Sequence, residues 1–158
     1  MNLYIKQKVF SWGDKFTVKD SFGADRYFVE GEVFTLGKKL HVYDVCGNEV
    51  LFIKQEFTFG MPKYSVYSDG RLICTIKREF TFFTPRYSID GLNWEVEGEF
   101  FSHDYEIISE GYVVASISKE WMTWGDSYVL NISNPMDELF ALAVVLTIDC
   151  VIDSSQNN

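Results

Sequence analysis

Asn134-Pro-Met-Asp-Glu-Leu-Phe-Ala-Leu-Ala-Val-Val-Leu-Thr-Ile-Asp-Cys-Val-Ile-Asp153 is the stretch whose reading decides the fold. Asn134 suits an N-cap and Pro135 the first helical position, while Asp137 and Glu138 lie near the positive end of the helix dipole. The spacing predicts a helix over 135–152, about 27 Å long at 1.5 Å per residue. Residues 139–148 contain no charge, and apolar side chains occupy every face. Such a helix has to be covered on all sides, by protein or by lipid. A bilayer span needs roughly 18 apolar residues, and Asp149 interrupts the run before that length. The remainder of the chain is therefore expected to wrap around this helix.

The wrapping material reads as β-structure. Aromatic residues make up 17% of the 158, with 14 Phe and 9 Tyr, a composition suited to pleated, half-buried surfaces. The length fits one domain. Four segments align without gaps, starting at Ile5, Ile53, Ile76 and Ile117. Each has an apolar start, a polar triplet, an aromatic middle, a turn signal and then aromatic-x-apolar. The turns are Trp12-Gly13-Asp14, Gly60-Met61-Pro62, Thr84-Pro85 and Trp124-Gly125-Asp126. A second element, Val-Glu-Gly-Glu, occurs at 29–32 and again at 96–99. Two halves of similar design, 5–70 and 76–132, account for this order.

Strands are predicted over 4–9, 15–20, 27–33, 39–44, 49–56, 64–68, 71–79, 86–89, 94–99, 104–108, 113–121 and 127–132. A sheet of twelve such strands closes rather than leaving edges, and its lumen is too wide for its own side chains. The fold expected is thus all-β with one central helix: a twelve-stranded closed antiparallel barrel enclosing the hydrophobic C-terminal helix. A single domain spans 1–153, and 154–158 is expected to be a disordered tail.

Charge and cysteine content bound the function. The net charge is −9, made of +2 over residues 1–90 and −11 over 91–158. That field disfavours nucleic acid as a partner. Cys46, Cys74 and Cys150 are odd in number and far apart, which fits reduced thiols, and the start of the chain has no signal-peptide core. The expectation is a cytoplasmic monomer.

Four features together resemble the LURP-one-related family. They are the opening Tyr4-Ile5-Lys6-Gln7-Lys8, the element Val29-Glu30-Gly31, the hairpin Asp44-Val45-Cys46-Gly47 and the closing apolar run 139–149. The family has a tubby-like fold and is related to phospholipid scramblases. The resemblance implies a twelve-stranded barrel around a central helix, with no catalytic residues and no cofactor. Tubby relatives bind phosphoinositide head groups through a basic surface patch, which implies an anionic membrane surface as a partner.

Candidate sites are read from the residues themselves. Lys6, Lys54 and Lys77 occupy the same place in three aligned segments, with Arg78 adjacent and Lys63 and Arg86 near. Gathered at one end of a barrel, they would hold an anionic head group or another phosphate-bearing ligand. Glu95, Glu97 and Glu99 point one way from a strand, as do Glu30 and Glu32, and could face a basic protein. No calcium loop of the Asp-x-Asp-x-Asp-Gly type accompanies them. His41 and His103 are remote from any cysteine and read as strand-end residues, so no metal site is expected. The two Trp-Gly-Asp turns read as caps on the barrel mouth. Gly-rich phosphate loops, nucleophile elbows and paired-cysteine motifs are lacking, which points away from an enzyme.

Overall fold

A computed structural model of the chain describes residues 1–6, 15–32, 36–122 and 125–156. Among them twelve strands form: β1 (Asn2–Lys6), β2 (Lys15–Asp20), β3 (Asp25–Gly31), β4 (Lys39–Asp44), β5 (Glu49–Glu56) and β6 (Lys63–Ser68). The others are β7 (Arg71–Glu79), β8 (Arg86–Asp90), β9 (Trp94–Glu99), β10 (Asp104–Ser109), β11 (Tyr112–Met122) and β12 (Gly125–Ile132). Every strand pairs antiparallel with its sequence neighbours, and β1 closes the circle on β12 with Asn2 opposite Asn131. The period-two pattern sets which face is inside. In β9, Trp94 and Val96 are buried in the lumen while Glu95 and Glu97 stand outside.

The lumen is filled by α1 (Glu138–Gln156). Every residue over 141–151 is buried, and the lining residues Leu3, Ile5, Val42, Leu51, Ile53, Ile107 and Leu130 are at most 1% exposed. The predicted helix differs in detail. Its first turn, Pro135–Asp137, is a 3-10 turn capped by Asn134, whose side chain accepts from the Met136 N–H at 3.1 Å. At the other end the helix continues through Ser154 to Gln156, so these residues are helical rather than a disordered tail. The Ser154 and Ser155 hydroxyls donate to the carbonyls of Cys150 and Ile152, which binds them to the last turns.

The two ends of the barrel are built differently. At the turn end, where β1 begins and the helix enters, the hairpins are short. Asp20 and Asp44 each accept two backbone N–H groups at 2.9 Å, from Phe22 and Ala24 and from Cys46 and Asn48. Gly23 and Gly47 follow at φ +78° and +84°, a conformation that favours glycine. Four of these hairpins carry a register shift just before the turn, which increases local twist and helps closure. At the loop end the connections are longer, including 57–62, 80–85 and 100–103. Gly98 sits beside the last of these at φ +135°, where a Cβ would lie 2.6 Å from the Asp104 carbonyl oxygen.

Candidate functional site

An apolar helix that carries acids must find partners for them, because a buried carboxylate without one is costly. The structure answers this at both ends of α1. At the turn end, Arg26 donates to both carboxylate oxygens of Glu138, at 2.9 and 3.2 Å, and the Tyr27 hydroxyl adds a third bond at 2.9 Å. Burial, then the bond to Glu138, raises the Tyr27 pKa. At the loop end, Asp149 receives the Tyr128 hydroxyl on one oxygen, and His103 Nε2 lies 3.2 Å from the other. The His103 ring stacks on Tyr128 with centroids 4.4 Å apart. Lys38 bridges the Cys150 carbonyl, at 3.1 Å, and the Asp153 carboxylate, offsetting negative charge where the helix dipole is also negative.

The loop 100–103 forms the plug over this end. Phe100 is buried between Tyr87 and Tyr105, at centroid distances of 4.8 and 5.1 Å, and His103 adopts φ +53° to turn its ring into the lumen. The Tyr105 hydroxyl is buried without a hydrogen-bond partner among the described residues. Burial, then the charge of Asp149, raises the Tyr105 and Tyr128 pKa values, and burial pushes the Cys150 thiol up to about 12. Such groups are poor nucleophiles and poor bases at neutral pH. His103 is thus a buried pin for the helix, not an ordinary strand-end residue. The signal for it was Asp149 itself, an acid that required a lumen partner.

The outer wall carries the surface candidates. Lys54 lies on β5 with Lys39 directly opposite on β4, and Lys77 on β7 lies opposite Lys63 on β6. All four face outward on adjacent strands at the loop-end half, with Lys54 and Lys77 two strand spacings, roughly 10 Å, apart. Lys54 also lines a surface pocket of about 300 Å³ together with Phe52, Tyr67 and Asp69. Two expected members do not join this patch. Lys6 is on β1, six strands from β7 on the opposite side of the barrel, where it borders a smaller hollow with Lys19. Arg78 alternates inward with Cys74 and Ile76, and its Nε is buried with no partner among the described residues. Equivalence in sequence placed these residues at the same height but not on the same side.

Glu95, Glu97 and Glu99 all project outward from β9, beside Glu106 of β10, which sits directly opposite Glu97. Among the described residues only Glu97 of the three makes an ion pair, with Arg86 at 3.6 Å. The matching acids of the first half are spent locally: Glu30 pairs with Lys15 at 2.9 Å, and Glu32 with Lys39 and His41. His41 lies on the outer face with one ring nitrogen 2.7 Å from Glu32 and the other 2.8 Å from Glu49. Burial pulls its pKa down, but the two carboxylates outweigh that and leave it raised. No group of three or more His, Cys, Asp and Glu placed to hold a metal occurs among the described residues. Trp12-Gly13-Asp14 and Trp124 lie outside those residues. No helix among the described residues is long and apolar enough to cross a membrane.

Comparison with known proteins agrees with this architecture. The solved X-ray structure of a protein from Arabidopsis thaliana superposes with a TM-score of 0.66 at 19% identity, covering 99% of this chain and 91% of that one. An uncharacterized Bacillus subtilis (strain 168) protein, YxjI, is 32% identical over 157 residues, spanning 99% of this chain and 97% of its own. The LURP-one-related family model matches residues 1–149, which takes in all twelve strands and most of the lumen helix. The chain therefore belongs to the LURP-one-related family.

Proposed function

We propose that the protein is a non-enzymatic binding module whose outer wall at β4–β7 recognises an anionic lipid head group. The observation that carries this reading is the outward row of Lys39, Lys54, Lys63 and Lys77, with Lys54 beside a pocket lined by Phe52 and Tyr67 together with Glu49 and Asp69. Lys63 and Lys77 stand directly opposite one another and repel, whereas Lys39 and Lys54 are relieved in part by Glu32 and Glu56, at 3.4 and 3.9 Å. Co-sedimentation with neutral and anionic vesicles, at low and physiological salt, tests the reading. Binding is expected only to anionic vesicles, weakening with salt. Lys54→Glu with Lys77→Glu should abolish it, and equal binding by that double variant would overturn the proposal.

A second reading rests on the opposed Glu97 and Glu106 with Glu95 and Glu99 around them. These are suited to a basic protein partner, and Glu95→Lys with Glu99→Lys should remove that interaction while leaving vesicle binding unchanged.

A further inference from the structure

Exposed apolar residues at the turn end are scattered over separate hairpins, as with Phe22, Val45, Leu72 and the adjacent Tyr112 and Val113, and scattered exposures of this kind are ordinary. The loop end is different. Loops 57–62 and 80–85, which flank the adjacent strands β6 and β7, expose Phe57, Phe59, Phe80, Phe82 and Phe83, each more than 70% exposed. The two loops are built alike. Thr58 Oγ1 donates to the Met61 carbonyl and Thr81 Oγ1 to the Thr84 carbonyl, at 2.9 and 2.6 Å. Each hydroxyl is spent on its own loop backbone, so the rings on either side of it are what the loop presents. Each loop then ends in Pro62-Lys63 or Pro85-Arg86, bringing a cation to the base of the rings.

We infer that these two loops are a bilayer-inserting edge, with the five rings entering the interfacial layer of an anionic membrane as Lys54, Lys63, Lys77 and Arg86 meet its head groups. The inference rests on the lipid reading above and adds to it an apolar, salt-insensitive component. Two observations favour a membrane over another occupant. The rings sit on two separate loops, 57–62 and 80–85, and together make an apolar cluster of the kind that marks an interaction site. At the loop-end edge Lys54, Lys63, Lys77 and Arg86 outnumber Glu56 and Glu79, a local +2 in a protein of −9. A second copy docking edge to edge would present the same positive charge and be repelled, whereas anionic head groups attract it.

The test uses the whole chain with Cys46→Ser, since the other two thiols, Cys74 and Cys150, are buried. An environment-sensitive fluorophore is attached at Phe59→Cys, at Phe82→Cys or, as turn-end control, at Val45→Cys. Vesicles are phosphatidylcholine with and without 30% phosphatidylserine, carrying a shallow bromolipid quencher. Blue shift and quenching are expected at 59 and 82 and not at 45. The folded variant Phe59→Ser/Phe82→Ser/Phe83→Ser should bind at least tenfold more weakly and be fully displaced by salt. Vesicle binding with the label still in water and full affinity in the triple-serine variant would overturn insertion while leaving the lysine wall intact. No vesicle binding by the parent chain would overturn both readings, and a concentration-dependent dimer lost in the triple-serine variant would assign the edge to self-association.

Discussion

The turn end and the loop end of the barrel solve the same problem, how to hold the charged ends of an apolar helix, in different ways. At the turn end Glu138 is buried, but Arg26 keeps its side chain 46% exposed, so the pair remains in touch with water. At the loop end Asp149, His103 and Tyr128 are all buried, and Asp153 is reached by a Lys38 whose side chain is only 14% exposed. The turns of the first end satisfy their own backbone with Asp20 and Asp44, whereas the second end is covered by loops that turn Phe100 and His103 inward and six other phenylalanines outward. Both ends hold the helix through contacts remote in sequence, but the turn end also closes its hairpins with the carboxylates of the turns themselves.

Leu142→Asp would break both ends at once. It places an unpartnered carboxylate where the wild-type residue is fully buried, and loss of a cooperative thermal transition is expected. A cooperatively folded Leu142→Asp protein would refute the lumen helix. Asp149→Ala acts on the loop end alone. It strands the Tyr128 hydroxyl and one His103 nitrogen inside the lumen, and should cost about 3 kcal/mol in urea unfolding. Glu138→Ala is the matching change at the turn end. Arg26 can return to solvent there and only the Tyr27 hydroxyl is stranded, so about 1–2 kcal/mol is expected. Equal losses from these two variants would erase the difference between the ends.

The smallest effect belongs to His41 on the outer wall. Its pKa is raised above its ordinary 6.5 by Glu32 and Glu49, against the opposing effect of burial. The contribution is therefore fully present below pH 6.5 and is lost as pH rises through the folded-state value. The Glu32 pKa is lowered, chiefly by the bond to His41, so its side of the pair is lost as pH falls below 4.5. His41→Asn should reduce the urea midpoint measurably near pH 5.5, and the difference should vanish as the pH is raised through the folded-state value. A constant difference across that range would mean that packing against Phe52, at a centroid distance of 4.9 Å, is what matters.

The candidate site was only partly legible. The outward direction of Glu95, Glu97 and Glu99 followed from strict alternation, whereas that of Lys54 and Lys77 is seen in the strands themselves. Arg78 was grouped with Lys77 because they are adjacent in sequence, yet adjacency in a strand is what sends two side chains to opposite faces. Lys6 was grouped by its place in a repeated pattern, which fixes height along the barrel but not position around it. The role of His103 depends on a four-residue loop with a left-handed turn, and no periodicity announces that.

What the sequence determined by itself is everything that depends on period and composition. A run with no polar face has to be surrounded, twelve alternating segments rich in aromatics supply the surrounding surface, and Asn134-Pro135 marks where the helix begins. What the tertiary structure decided is everything that depends on angle around the barrel and on loops. It chose Lys38, His103 and Tyr128 as partners for acids 115, 46 and 21 residues away in sequence. It separated Lys6 from Lys77, and it set the two phenylalanine loops side by side next to a basic wall. The physical reason is that alternation is a property of neighbouring residues, whereas closure of the barrel is set by pairing between strands remote in sequence, and only closure fixes which surfaces stand together.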